Sequence, residues 1–157
     1  MEIVDFMSEA IKEAALGVEH NEGGPFGAVI VKAGKIISRG HNMVLRTSDP
    51  TAHAEIVAIR RASENFKNFD LKGCKLYTTC EPCPMCLSAI FWSRIDTVYF
   101  GCSKEDAASI GFDDNLFYEI LTNLDLRKKY LKESQIERKK CLEIFNLWKQ
   151  KEDKRMY

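Results

Sequence analysis

Apolar residues recur at helical spacing through Ile3, Phe6, Met7, Ala10, Ile11, Ala14 and Val18, which predicts an amphipathic helix over residues 2–20. Asn21 to Gly24 ends it, because these residues favour turns. After Pro25 the period changes. Phe26-Gly-Ala-Val-Ile-Val31 is a short continuous apolar run, and Lys32-Ala-Gly34 turns the chain into a second strand over Lys35–His41. Strands joined this tightly form an antiparallel hairpin. A loop containing Asp49-Pro50 leads to a helix over residues 54–66 with Ile56, Val57 and Ile59 turned inward. A strand at 75–79, a helix at 84–93 and a strand at 98–101 follow. A strand–helix–strand unit with so short a connection is a parallel, right-handed crossover, so the fold class is α/β, a mixed sheet covered by helices.

Beyond residue 102 the pattern weakens. Asp106–Ile110 and Asn115–Leu121 read as helical turns and Lys132–Ile136 as an edge strand. Cys141, Leu142, Phe145 and Trp148 form one face of a last helix that fades into Lys149–Tyr157. The 157 residues are 45% hydrophobic and 29% charged, without repeat or linker, which is the makeup of a single domain over residues 1–157. Such a chain buries about two-thirds of its unfolded surface without staples, so a metal here serves chemistry.

The longest apolar run, Phe26–Val31, is far short of the roughly 20 residues that cross a bilayer. Glu2 and Asp5 stand where an export signal would be basic, so no membrane partner and a cytoplasmic, reducing location are expected. In that setting the six cysteines read as thiols or ligands. The formal net charge is zero, but residues 1–125 hold 12 basic and 18 acidic side chains, net −6, whereas 126–157 hold 11 and 5, net +6. Acidic residues interrupt the basic ones in the tail and no aromatic stripe accompanies them, so the tail is expected to lie on acidic protein surface rather than on nucleic acid.

The chemistry concentrates in His53-Ala-Glu55 and Pro82-Cys83-Pro-Met-Cys86. One imidazole, two thiolates and a carboxylate that need not be a ligand are the pattern of a catalytic zinc with an open position. Cys83 stands at a predicted N-cap with Pro84 as first helical residue, and Cys86 returns to the same face, where the positive end of the helix favours thiolate. Competing readings are a redox Cys-x-x-Cys or, with Cys80, the start of an iron–sulfur spacing. The bacterial cluster pattern wants a cysteine and proline close behind, and residues 89 and 90 are Ala and Ile. Cys80 is assigned to packing beside the metal, Cys74, Cys102 and Cys141 to buried small hydrophobes, and His20 and His41 to a helix end and a strand.

The His-x-Glu and Pro-Cys-x-x-Cys pair resembles the cytidine deaminase superfamily. Gly23-Gly-Pro-Phe-Gly-Ala-Val-Ile-Val-Lys32, Asn42, Asp49-Pro-Thr-Ala-His-Ala-Glu55, Ala58-Ile-Arg60, Cys80-Glu-Pro-Cys-Pro-Met-Cys86 and Gly111-Phe-Asp-Asp114 resemble, more narrowly, the bacterial guanine deaminases. The metal motif specifies the class; Gly-Phe-Asp-Asp and the aromatic C-terminal end carry the narrower likeness.

The resemblance implies a three-layer α/β/α sandwich with a mixed five-stranded sheet. It also implies a homodimer in which residues 137–157, a C-terminal helix and tail, are exchanged between subunits. It implies Zn2+ held by His53, Cys83 and Cys86, with Glu55 moving the proton of an activated water while guanine is converted to xanthine and ammonia. The small purine base would meet Asn42, Ala54 and the acceptor Asp114, stack on Phe26 or Trp92, and be covered by Tyr157. On residue types alone, Asn42 is a turn asparagine, Asp113 and Asp114 are helix caps, and Phe26 and Trp92 are core. The alternatives are a tRNA adenosine deaminase, a deaminase of guanosine, another amino-purine or a triazine, and a noncatalytic zinc or thiol protein.

Overall fold

The computed structural model describes residues 3–157, with the side chains of residues 3–5 set aside. The predicted helix start at residue 2, the inward place of Ile3 and the reading of Glu2 and Asp5 lie outside the described residues. In chain order the elements are α1 (Ile3–Glu19), β1 (Gly27–Lys32), β2 (Lys35–His41), α2 (Val44–Thr47), α3 (Ala54–Phe66), β3 (Lys75–Cys80), α4 (Pro84–Trp92), β4 (Thr97–Cys102), α5 (Lys104–Ser109), α6 (Asn115–Thr122), α7 (Leu124–Tyr130) and α8 (Arg138–Gln150). The chain divides into two compact units, Met1–Asn115 and Leu116–Tyr157.

In the first unit the strands lie in the order β2-β1-β3-β4. The β1–β2 hairpin is antiparallel, and the crossover through α4 makes β3 and β4 parallel, both as the pattern predicted. The apolar run of β1 is central because it is buried on both faces. Ala28 and Ile30 join Ala54, Ala58 and Ala62 of α3, Leu76 of β3 and Ile90 of α4 in one cluster. Val29 and Val31 join Phe6 and Ala10 of α1 and Tyr77 of β3 in another. Strand alternation therefore gives a helix–sheet–helix arrangement, with Tyr77 stacked on Tyr99 at 4.8 Å and meeting Phe6 at 5.2 Å.

The sheet has four strands among the described residues, where five were expected. Lys132–Ile136 is an exposed, unladdered segment. Lys-Glu-Ser-Gln has no apolar alternation to bury, so its backbone gains nothing by leaving water. In the second unit α7 was unforeseen; Asn123 caps it, its side chain accepting the Leu126 N–H at 3.0 Å. None of the described residues from 116 to 157 is buried in the single chain. Cys74 is buried as expected, whereas Cys102 and Cys141 are exposed. No helix among the described residues is long and apolar enough to cross a membrane.

Candidate active site

Two helix starts build the site. The turn before α3 is held by Asp49, whose Oδ1 accepts the Thr51 N–H at 2.8 Å and the Thr51 hydroxyl at 2.7 Å, and His53 is the N-cap. Cys83 is the N-cap of α4, with Pro84 opening the helix as its fixed φ and missing N–H allow. Neither side chain caps its own helix, so the imidazole and the thiol remain available to one another.

His53 Nδ1 lies 3.5 Å from the Sγ of both Cys83 and Cys86, and the three ligand atoms lie within 4.8 Å of one another. A tetrahedral zinc with ordinary Zn–N and Zn–S bonds separates nitrogen from sulfur by about 3.5 Å, so the donor set fits that ion.

The charges agree with the spacing. The Cys86 Sγ bonded to Cys83, aided by His53, pulls the Cys83 thiol down to about 4 against the opposing effect of burial. The same bond to Cys83, with burial, pushes Cys86 up. His53 is raised by its bond to Cys83. Cys80 is buried and pushed up to about 11 by desolvation, and its Sγ lies 3.7 Å from the Ser103 carbonyl. Cys80 lies outside the group of three donor atoms that approach one another closely enough to hold a metal.

Glu55, in the first turn of α3, is only 6% exposed, and desolvation raises its carboxyl. Cys86 Sγ donates to Glu55 Oε2 at 3.5 Å. A buried carboxyl in contact with one of the three candidate donors suits proton transfer.

Asp114 is half-buried, and its carboxyl is raised by desolvation and then by the negative charge of Cys83. Asp113 takes the turn-forming role, its Oδ1 accepting from Asn115 N at 3.0 Å and Asn115 Nδ2 at 2.7 Å. Phe112 was not singled out in the sequence; it meets Phe26 edge-on at 5.0 Å, and its only signal was its place in Gly-Phe-Asp-Asp.

Asn42 is 5% exposed. Its N–H donates to Phe26 O at 3.0 Å and its Oδ1 accepts from Val44 N at 3.1 Å, which turns Nδ2 away as a donor. The next residue, Met43, donates to Ala52 O at 2.9 Å, tying this loop to the turn that carries His53. The Ala54 side chain is in the core, so only its helix-start backbone can face a ligand. Trp92 is 67% exposed at the far end of α4, about 13 Å of helix from Cys83, so the structure does not bring it to the ligand group. Tyr157 is exposed in the C-terminal unit.

Residues 1–102 match the cytidine and deoxycytidylate deaminase zinc-binding region. The chain belongs to this family. Like the family, it is a hydrolytic, zinc-binding deaminase. The deaminase is 51% identical over 114 residues to guanine deaminase of Bacillus subtilis, 73% of each chain. It is 40% identical over 125 residues to a tRNA-specific adenosine deaminase of Aquifex aeolicus, 80% of this chain and 82% of that one. The X-ray structure of the B. subtilis guanine deaminase superposes with a TM-score of 0.94 at 41% identity, covering 100% of this chain and 99% of that one. A guanine deaminase from Nitrosomonas europaea superposes at 0.69 with 29% identity, covering 73% of this chain and 66% of that one.

Proposed function

We propose that this deaminase hydrolyses free guanine to xanthine and ammonia with one zinc ion held by His53, Cys83 and Cys86. The observation that carries the reading is the buried Glu55 carboxyl against Cys86 Sγ at 3.5 Å, beside a group of three donors, one short of the four that tetrahedral zinc takes. Zinc, when bound there, supplies the Lewis acidity that activates water for attack at neutral pH. Glu55 would take the proton of that water and pass it to ring N3 as C2 becomes tetrahedral, then take the proton of the new C2 hydroxyl and hand it to the amine, which leaves as ammonia while C2 becomes a carbonyl. Asn42 donates through Nδ2 to an acceptor on the base. Asp114 accepts from a purine N–H, and Phe26 and the Ala54 backbone line the base's other sides.

The molecule works in this reading as a cytoplasmic homodimer whose segment 137–157 is exchanged, with Tyr157 over the partner's pocket. Supporting this is the large apolar surface of a C-terminal unit that buries none of its described residues within one chain, including Ile144, Phe145 and Leu147. Whole-length similarity to a guanine deaminase favours guanine over tRNA, for which a tRNA-acting relative superposes over only 64% of this chain with a TM-score of 0.62. The net −6 of residues 1–125 also disfavours a polynucleotide.

Steady-state assay of the zinc protein, following loss of guanine and release of ammonia, tests the substrate. No turnover of guanine alongside turnover of another amino-purine, or salt-sensitive deamination of a tRNA anticodon arm, overturns it.

A further inference from the structure

A polar cluster away from the ligand group surrounds Glu22, in the turn that follows α1. Glu22 Oε2 is bonded to His41 Nε2 at 2.5 Å, and Oε1 accepts from Arg46 Nη1 at 2.7 Å. The Glu22 backbone carbonyl accepts from both Leu45 N and Arg46 N at 3.0 Å. The other ring nitrogen of His41, Nδ1, faces Glu13 Oε2 of α1 at 3.0 Å. Each ring nitrogen of His41 thus faces a carboxylate oxygen, one from α1 and one from the turn after it.

These bonds share one geometric property. Glu22 grips the chain at residue 41, immediately before Asn42, and again at residues 45 and 46, three and four positions after it. Its neighbour Gly23 backs directly onto Asn42: a β-carbon at Gly23 would collide with the Asn42 Oδ1 and backbone carbonyl. Desolvating ionisable groups makes such a cluster a weak source of stability, while its directional bonds fix a loop closely. Hydrogen-bonding of a small flat base requires a carboxamide held to within about half an ångström.

We propose that Glu22, acting with His41 and Arg46, is a positioning residue that sets the Asn42 carboxamide for recognition of the base. The proposal rests on the reading of Asn42 as a base contact. Glu22 touches neither substrate nor metal ligand in this role, so it affects binding of the base and leaves the proton transfers at Glu55 alone.

The test is steady-state kinetics of the zinc enzyme on guanine, or on whichever amino-purine the wild type deaminates, for Glu22→Gln, Asn42→Ala and the double variant. E22Q is expected to raise KM about tenfold with kcat within about twofold and zinc content unchanged, as loss of a charged hydrogen bond that serves binding predicts. In the N42A background the same change is expected to have little further effect on KM, because both variants act through one carboxamide. Arg46→Gln removes one of the four contacts at a largely exposed guanidinium, and gives a smaller KM rise if E22Q does not fold. N42A raising KM while E22Q and R46Q leave it unchanged overturns the positioning role alone. An equal E22Q effect with and without Asn42, or an E22Q loss confined to kcat, overturns it as well. N42A leaving KM unchanged overturns the base contact and this proposal with it.

Discussion

Gly40 of β2 backs onto the carbonyl of Ala54 so closely that a β-carbon on the glycine would stand 2.6 Å from that oxygen, with Ala58 N at 2.7 Å. Ala54 lies between His53 and Glu55, so this approach sets the depth of the imidazole and of the carboxyl together. Gly40→Ala has to push α3 away from the sheet. Loss of about 1–3 kcal/mol of stability is expected from the overpacking. Denaturant unfolding and zinc content after dialysis should both fall; wild-type values for both would show that the spacing of α3 and β2 does not govern the site.

Glu55→Gln keeps the shape of the side chain and removes its titratable proton. Zinc content should equal that of the wild type while kcat drops about 10²–10⁴-fold, the usual worth of a positioned general acid–base. Metal analysis beside the ammonia assay distinguishes this from a ligand role, in which zinc would leave with activity.

Cys83 is the ready-made thiolate of the group, held ionised by its bonds to Cys86 and His53. Chelation should abolish turnover and added zinc restore it, whereas Cys83→Ser should neither retain zinc nor recover on its addition. Restored activity in the serine variant would remove Cys83 from the ligand set.

Asp49 carries the pH prediction. Its carboxyl is held below the ordinary 3.8, first by the Thr51 hydroxyl, then by the Thr51 N–H and Arg60. A carboxyl lowered on folding stabilises the native state fully above its unfolded value, and that contribution is lost as pH falls through the folded one. Wild type should therefore melt above Asp49→Asn at neutral pH, and the two Tm curves should converge below pH 3.8. A gap that persists there would mean that the loss in D49N does not come from ionisation.

Exchange of the C-terminal segment predicts complementation. Coexpressed chains carrying Glu55→Gln and Tyr157→Ala form a mixed dimer in which one site combines an intact Glu55 with its partner's intact tail. Turnover well above that of either variant alone is expected. Activity equal to the mean of the two parents would place each tail over its own site.

Legibility in the sequence followed locality. The apolar run of β1, Pro84 at the opening of α4 and the Cys83–Cys86 spacing are short-range signals, and the elements formed where they pointed. The β3–β4 crossover was legible because chain handedness leaves one solution. Lys132–Ile136 misled because an extended reading needs a partner edge, which no local pattern reports. Cys102 and Cys141 were assigned by residue-type frequency and proved exposed. His41 was read as an ordinary strand residue, since Glu13 and Glu22, distant in the chain, reach it only after folding.

Val29 and Ile30 are successive residues of β1, one facing α1 and the other facing the helices that begin at His53 and Cys83. The layer without chemistry and the layer with it thus hang from a single ribbon of backbone. Loosening α1 from behind would tilt that ribbon and disturb the ligand geometry through the sheet, so heat should silence the enzyme before its helices melt.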